Sequence, residues 1–561
     1  MDIDENIICE RIVHFDRDIP HYGTQNGSIA GSDGEITCPV ALWIESVDLL
    51  LSRFESASVN FGEVVAVSGA AQQHGSVYWT EYAPDLLASL DPSRTLGEQL
   101  MAKGFSLPNA PIWQDSSTTA ECAALEQAVG GPQKLSDMTG SRAYERFTGS
   151  QISKIYHRSP ATYTATRYIS LVSSFVSSLF LCHISPIEVS DASGMNLMDI
   201  KTCRWDETLL SACGGPTLRS KLAGEPVHGG TVLGKIGQWW VKRYGFSSEC
   251  IVAPFTGDNP ATIVTLSSPG DAILSLGTST TLLISVPPPS ANSVPPICTT
   301  TSHLLAHPTT AGGSIVMLCI KNGGLTREVI RDKYSSGSWS VFNDQVLSRP
   351  PGNSGCLGFY FTLREIIPTG VVGDHCFVDS QRVIPGDTED SAFPPSAHAR
   401  AVLESQLLSI RSRLASILPP SSEDSSSRSL KRCVITGGSS VNPLIQQMVA
   451  DILGLPTYVA PSGAGSAASG GALLAKFAWW KVQRHDDDDD DVLDTLDHAP
   501  GTDRTIADRL QETGSTFEDM RKESGGLVIV KVAEPDRDNE RVYEGMIDTF
   551  RKCEDMIVRS L

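Results

Sequence analysis

VAPFTGDNPATIV, from Val252 to Val264, reads as the end of a strand, a tight turn and the start of a helix. Apolar residues run into Gly257-Asp258-Asn259, Pro260 follows, and a helical pattern opens at Ala261. A strand that hands over to a helix in this way is the joint from which α/β layers are built. It also places a carboxylate where free backbone N–H groups and the positive dipole end of a helix gather. On these residues alone two readings stand. Asp258 caps the helix, as aspartates commonly do, or it is a base beside an anion-binding surface, as phosphoryl transfer to a hydroxyl uses.

The flanking sequence repeats this alternation of strand-like and helix-like segments, which favours α/β architecture with parallel pairing. Glu63 to Ser68 (EVVAVS) reads as a buried strand ending at Gly69. Asp271 to Val286 (DAILSLGTSTTLLISV) reads as a hairpin around a Gly-Thr-Ser turn. Arg432 to Thr436 is a further strand, ending at Gly437 and Gly438. Tyr168 to Ile184, short of the ~20 residues that a membrane span needs, reads as a buried core helix. Near the C-terminus Tyr543, Met546, Phe550, Cys553 and Ile557 follow an i, i+3, i+7 stripe, the mark of an amphipathic helix docked on the body.

With 561 residues the chain is too long for one core. The net charge of -21 argues against non-specific nucleic-acid binding and against an anionic membrane surface. The 13 scattered cysteines are odd in number and form no C-x-x-C pair, so neither disulfides nor a zinc site is expected. The acidic N-terminus lacks the apolar run of a signal peptide. A cytoplasmic protein is the expectation. Three breaks interrupt the order: the Pro-rich Val286 to Pro296, the polar Leu418 to Ser429, and the six aspartates Asp486 to Asp491, read as a solvated run.

Further segments gather polar side chains. AQQHGSVYW (Ala71 to Trp79) follows a strand, where α/β proteins place ligands; His74 there is a ligand or an ordinary turn histidine. APIWQDSST (Ala110 to Thr118) reads as a buried Trp113 followed by Asp115 as a helix cap. Gly140 to Ile155 brings Arg142, Tyr144, Glu145 and Arg146 into a turn before a helix, as ion pairs or as ligands. The turns Gly277-Thr278-Ser279 and Gly437-Gly438-Ser439-Ser440 suit phosphate, because glycine lets backbone N–H groups approach closely. Neither matches a P-loop or a dinucleotide fingerprint.

In this order PHYGT, SGAAQQHGSVYW, WQDSSTTAEC, TGSRAYERFTG, SDASGMNLMDI, FTGDNPATIV, SLGTSTTL, KNGGLTRE and TGGSSVN resemble the FGGY carbohydrate kinases. QQHGSVYW and GSRAYERFTG are similar in particular to the xylulose-phosphorylating members of eukaryotes, fungal ones included. The resemblance implies two actin-like, ribonuclease-H-like α/β domains with a catalytic cleft between them. It implies a sugar-binding domain over 1–265, a nucleotide-binding domain over 266–480, and an acidic insertion with the C-terminal helix over 481–561. It implies ATP and Mg²⁺, and D-xylulose as the sugar phosphorylated at its 5-hydroxyl by a monomer or homodimer. Asp258 matches the family's base, and His74, Arg146, Asp258 and Asn259 match its sugar ligands. Gly277, Thr278 and Ser279 match a phosphate turn, and Trp339, Gly437, Gly438 and Asn442 match the adenosine side.

There are two departures. Family members open with a strand and an Asp-x-Gly/Ser-Thr phosphate turn, and Met1 falls beyond that point, which is expected to expose a sheet edge. A coding sequence starting upstream of Met1 is the expected explanation. Thr280 stands where relatives often carry aspartate. A catalytically impaired sugar-binding relative, or a kinase for another ketose or polyol, are the alternative readings.

Overall fold

A computed structural model describes residues 1–289, 295–418, 430–460, 467–485, 516–526 and 528–560. The chain divides into two compact units. The first comprises Met1–Thr265, Leu304–Ser314 and Gly465–Gly526, the second Leu266–His303, Ile315–Ala464 and Leu527–Leu561. Among the described residues no helix is long and apolar enough to cross a membrane. The Asp486 to Asp491 run and most of Leu418 to Ser429 lie outside the described residues.

In the first unit short strands radiate from a large aromatic core. Ile251–Val252 pairs parallel with Ala66–Val67 and antiparallel with Gly234–Lys235, and Thr256–Gly257 pairs parallel with Ala70–Ala71. Ser76–Thr80 pairs antiparallel with Thr166–Leu171. The helix Val172–Leu181 sends Phe175 against Trp79, their rings 5.3 Å apart, and Phe180 stacks on Trp240 at 4.5 Å. Such pairs add to area burial because the ring quadrupoles favour offset and tilted contacts. Trp79 keeps its indole N–H satisfied by donating to Ser170 Oγ at 3.0 Å. The helix Ala467–His485 lies close against this layer. A Cβ at Gly471 would stand 2.6 Å from the Gly69 carbonyl carbon, and one at Gly470 2.6 Å from that of Ala261, so only glycine permits the approach.

Three local expectations are corrected here. EVVAVS forms only the two-residue strand Ala66–Val67, half-buried, after a 3₁₀ turn at Phe61–Glu63. It is an edge strand of its three-stranded sheet, and Val65 is 50% exposed, so hydrophobicity alone overstated its burial. Tyr168 to Ile184 is buried but begins as a strand, because Tyr168 to Leu171 find partners in Ser76–Trp79 before the helix opens at Val172. Trp113 is 51% exposed. Asp115, although buried, is no helix cap: it accepts from Ile36 N, Ser117 N and Gln151 Nε2 and ties three segments together.

The second unit is built on a sheet that runs, in spatial order, Ser314–Ile320, Thr280–Val286, Asp271–Leu276, Arg432–Thr436, Thr457–Val459, Val530–Ala533. The hairpin is as read from the sequence, with Leu276 opposite Thr280. Arg432–Thr436 pairs parallel with its first strand, Ser275 opposite Thr436. The terminal helix Arg537–Val558 also forms as read and buries Tyr543, Phe550, Cys553 and Ile557. Phe550 packs on Phe359, and Tyr543 donates to Glu404 Oε1 at 2.9 Å.

Candidate active site

The joint quoted first delivers Asp258 to the opening residue of the helix Asp258–Leu266, directly after the Thr256–Gly257 strand. The parallel partner of that strand, Ala70–Ala71, leads into Gln72-Gln73-His74, so the two turns emerge side by side. Asn259 joins them: its Nδ2 donates to Gln73 Oε1 at 2.9 Å, and its backbone N donates to Asp258 Oδ1 at 2.9 Å. Asp258 is an exposed residue whose carboxylate is nevertheless closely surrounded by protein, and loss of hydration raises its pKa. Backbone donation from Asn259 and Gln73 opposes the rise. A carboxylate with a raised pKa is a stronger proton acceptor.

His74 is buried, adopts a left-handed backbone (φ 70°), stacks on Phe147 at 4.6 Å, and sets Nδ1 2.9 Å from Gly194 O. Burial, and secondarily the charge of Arg146, press its pKa down to about 3, so the ring is neutral near pH 7. A carbonyl only accepts, so the proton sits on Nδ1 and Nε2 is left with a lone pair for a hydroxyl donor. The Arg146 guanidinium lies over the rings of Tyr144 and Phe147, 4.8 and 5.4 Å from their centroids. His74, Arg146, Asp258 and Asn259 thus belong to one neighbourhood of the first unit. Its hydroxyl-accepting and proton-accepting groups suit a polyol or ketose.

Two buried acids stand close to this neighbourhood. Glu188 and Asp191 are fully buried behind the Thr256–Gly257 strand. Glu188 Oε2 accepts from Ser190 N, Asp191 N and Thr256 Oγ1, and Asp191 Oδ2 accepts from Ser173 Oγ at 2.5 Å. Burial pushes their pKa values up to about 7 and about 8. Asp191 lay in SDASGMNLMDI and Gln73 in AQQHGSVYW, yet no periodicity marks either as facing Asp258.

In the second unit a cavity of about 640 Å³, within the range that small-molecule sites occupy, opens beside the hairpin turn. Gly277, Thr278, Trp339, Gly438 and Asn442 line it, whereas Ser279 and Gly437 are not among its lining residues. Gly437 has φ 89°, and a Cβ there would stand 2.8 Å from the Leu276 carbonyl carbon, so the two glycine turns touch through backbone. The helix Gly324–Tyr334 starts against the same turn, with Gly324 N donating to Gly277 O at 2.8 Å. Arg327 beneath it donates to Ser439 Oγ and Gln406 Oε1. Asn442 caps the helix Pro443–Leu453 through Leu444 N and also donates to Asn343 Oδ1. Trp339 carries Arg331 over its ring at 4.6 Å. Backbone N–H groups, a helix start and an aromatic face are the parts of a phosphate-and-base cradle.

Comparison with known proteins assigns the family. Residues 102–265 match the N-terminal domain, and 272–479 the C-terminal domain, of the FGGY family of carbohydrate kinases. The chain belongs to that family. It is 44% identical over 466 residues to a xylulose kinase of Rattus norvegicus, covering 82% of each chain. It is 43% identical over 469 residues to a probable D-xylulose kinase A of Aspergillus fumigatus, covering 79% of this chain and 80% of that one. The crystal structure of a xylulose kinase from Rhodospirillum rubrum matches with a TM-score of 0.69 at 13% identity, over 95% of this chain and 92% of that one. This FGGY kinase therefore has the mixed α/β, two-domain, actin-like fold of the sugar kinases.

Proposed function

We propose that this FGGY kinase transfers the γ-phosphoryl group of ATP to the 5-hydroxyl of D-xylulose. The observation that carries the reading is Asp258, a carboxylate of raised pKa at a helix start, hydrogen-bonded through Asn259 to the turn that bears a neutral histidine. The xylulose kinases to which the chain is similar supply the sugar. In this scheme Nε2 of His74 accepts from one sugar hydroxyl, Arg146 and Asn259 donate to others, and Asp258 takes the 5-hydroxyl proton as the oxygen attacks phosphorus. Gly277, Thr278 and Ser279 hold phosphate, while Trp339, Gly437, Gly438 and Asn442 hold adenosine. General-base assistance of this kind contributes roughly 10²- to 10⁴-fold. Mg²⁺ would come in on the nucleotide and offset phosphate charge there.

The test is ADP release from ATP and D-xylulose, with D-ribulose, L-xylulose and glycerol as competitors for the role of substrate. Asp258→Ala is expected to lower kcat by about 10²- to 10⁴-fold. Equal rates in the two proteins refute the base, and a higher kcat/KM for another sugar refutes the substrate.

A further inference from the structure

Two polar atoms sealed behind the candidate base have no hydrogen-bond partner: Gln73 Nε2 and Asp191 Oδ1. Both side chains are buried, Gln73 at 4% exposure and Asp191 at 0%. They crowd the same face of Gly257, where an added Cβ would stand 2.9 Å from Gln73 Cδ and 3.0 Å from Asp191 Oδ1. Gln73 also stabilises the ionised Asp191 carboxyl, so the two are electrostatic neighbours.

A carboxamide presents its oxygen on one side and its NH₂ on the other. Gln73 Oε1 is committed to Asn259 Nδ2 at 2.9 Å, which turns Nε2 the other way, towards Asp191 and Gly194. With its proton on Oδ2, shared with Ser173 Oγ, Asp191 still presents Oδ1 as an acceptor, so the reversed amide would set NH₂ against NH₂ at Asn259 and oxygen against that acceptor. Each contact is repulsive, and in a buried setting neither is relieved by water. Asp191 is itself held by Ser173 Oγ, and its backbone N donates to Glu188, which is bonded in turn to Thr256.

We infer that Asp191 is a positioning residue for the candidate base, acting through the Gln73 amide on Asn259 and thereby on Asp258. This rests on the reading of Asp258 as base, and the tests keep the two apart. Asp191 selects the amide orientation of Gln73, that orientation fixes the Asn259 side chain, and Asn259 holds Asp258 Oδ1 with its backbone N and, at 3.3 Å, with its side-chain N. Gly257 carries no side chain because the amide and the carboxyl fill that space.

One readout needs no activity. The side-chain amide signals of Asn259 in a ¹⁵N spectrum of the full chain, assigned by their loss in Asn259→Ala, are expected to shift alike in Asp191→Ala and Gln73→Met. Signals left in place in Asp191→Ala overturn the inference, whatever Asp258→Ala does to the rate. The second readout is kinetic. Each single variant is expected to lower kcat for D-xylulose about 10- to 100-fold, the order that a small misplacement costs, with KM for ATP unchanged. The double variant is expected to lose no more than either single one. Losses that multiply overturn the coupling.

A reciprocal exchange covers the case in which Asp191→Ala does not fold. Gln73→Glu sets a carboxylate against Asp191, and adding Asp191→Asn supplies an NH₂ donor to it. Recovery of the Asn259 signals in that double variant supports the relay, and failure to recover them overturns it.

Discussion

At the scale of single residues, the first-unit site depends on atoms that must be close without colliding. Gly257→Ala would drive a Cβ into Gln73 and Asp191. Overpacking of this kind costs about 1–3 kcal/mol. Activity is expected to fall further than stability does, so a large loss of kcat beside a modest loss of urea midpoint is the pattern to look for. The buried acids predict a pH effect with a definite sign. Asp191 and Glu188 hold their protons to about pH 8 and about pH 7 in the folded chain, well above ordinary carboxylates, because burial disfavours their charge. Folding therefore takes up protons, and stability falls as pH rises through those values. The charges facing Asp191 are Glu188 and Asp258. Between pH 7 and pH 8, above the range in which the neutral buried His74 acts in the opposite sense, urea midpoints are expected to decline, and Asp191→Asn, which cannot ionise, is expected to flatten that decline. His74 and Asp258 were legible as candidate site residues in the sequence, but the neutral state of the histidine was not, since it comes from burial and from Arg146.

At the scale of elements, the cavity of the second unit is an arrangement of turns held at backbone distance. Gly323 begins the helix that packs on the hairpin turn, and a Cβ there would stand 2.7 Å from Thr280 N and 2.8 Å from Thr278 O. Gly323→Ala is expected to force the helix off the Gly277–Ser279 turn and weaken ATP binding at least tenfold, read by calorimetry against an unchanged affinity for D-xylulose. The hairpin and the Arg432–Thr436 strand were readable because apolar β-rich runs end at glycines. The EVVAVS strand was misjudged because an apolar run reports hydrophobicity and not whether a neighbouring strand covers it. Tyr168 to Leu171 was misjudged for a related reason. A short apolar run suits strand and helix equally, and pairing with Ser76–Trp79 decides between them.

At the scale of the whole molecule, each unit is assembled from three separate stretches of chain. The second unit is completed only when the chain returns for the helix Arg537–Val558. Tyr543, Phe550 and Ile557 of that helix are almost wholly buried, so it serves as part of a core. Phe550→Ala is expected to cost about 3–5 kcal/mol, measured as a lowered urea midpoint. A midpoint within error of the parent protein would show that the helix is dispensable. Residue order alone is enough for the family, the α/β class, the hairpin, the terminal helix and the candidate base, because these are written in local periodicity, glycine placement and contiguous motifs. Only the tertiary structure brings Gln73, Asp191 and Asn259 to Asp258, sets the charge of the buried groups around it, and returns distant stretches to complete each unit. Those properties arise from pairing and desolvation between segments far apart in the chain, and no local pattern encodes which buried atoms will face one another.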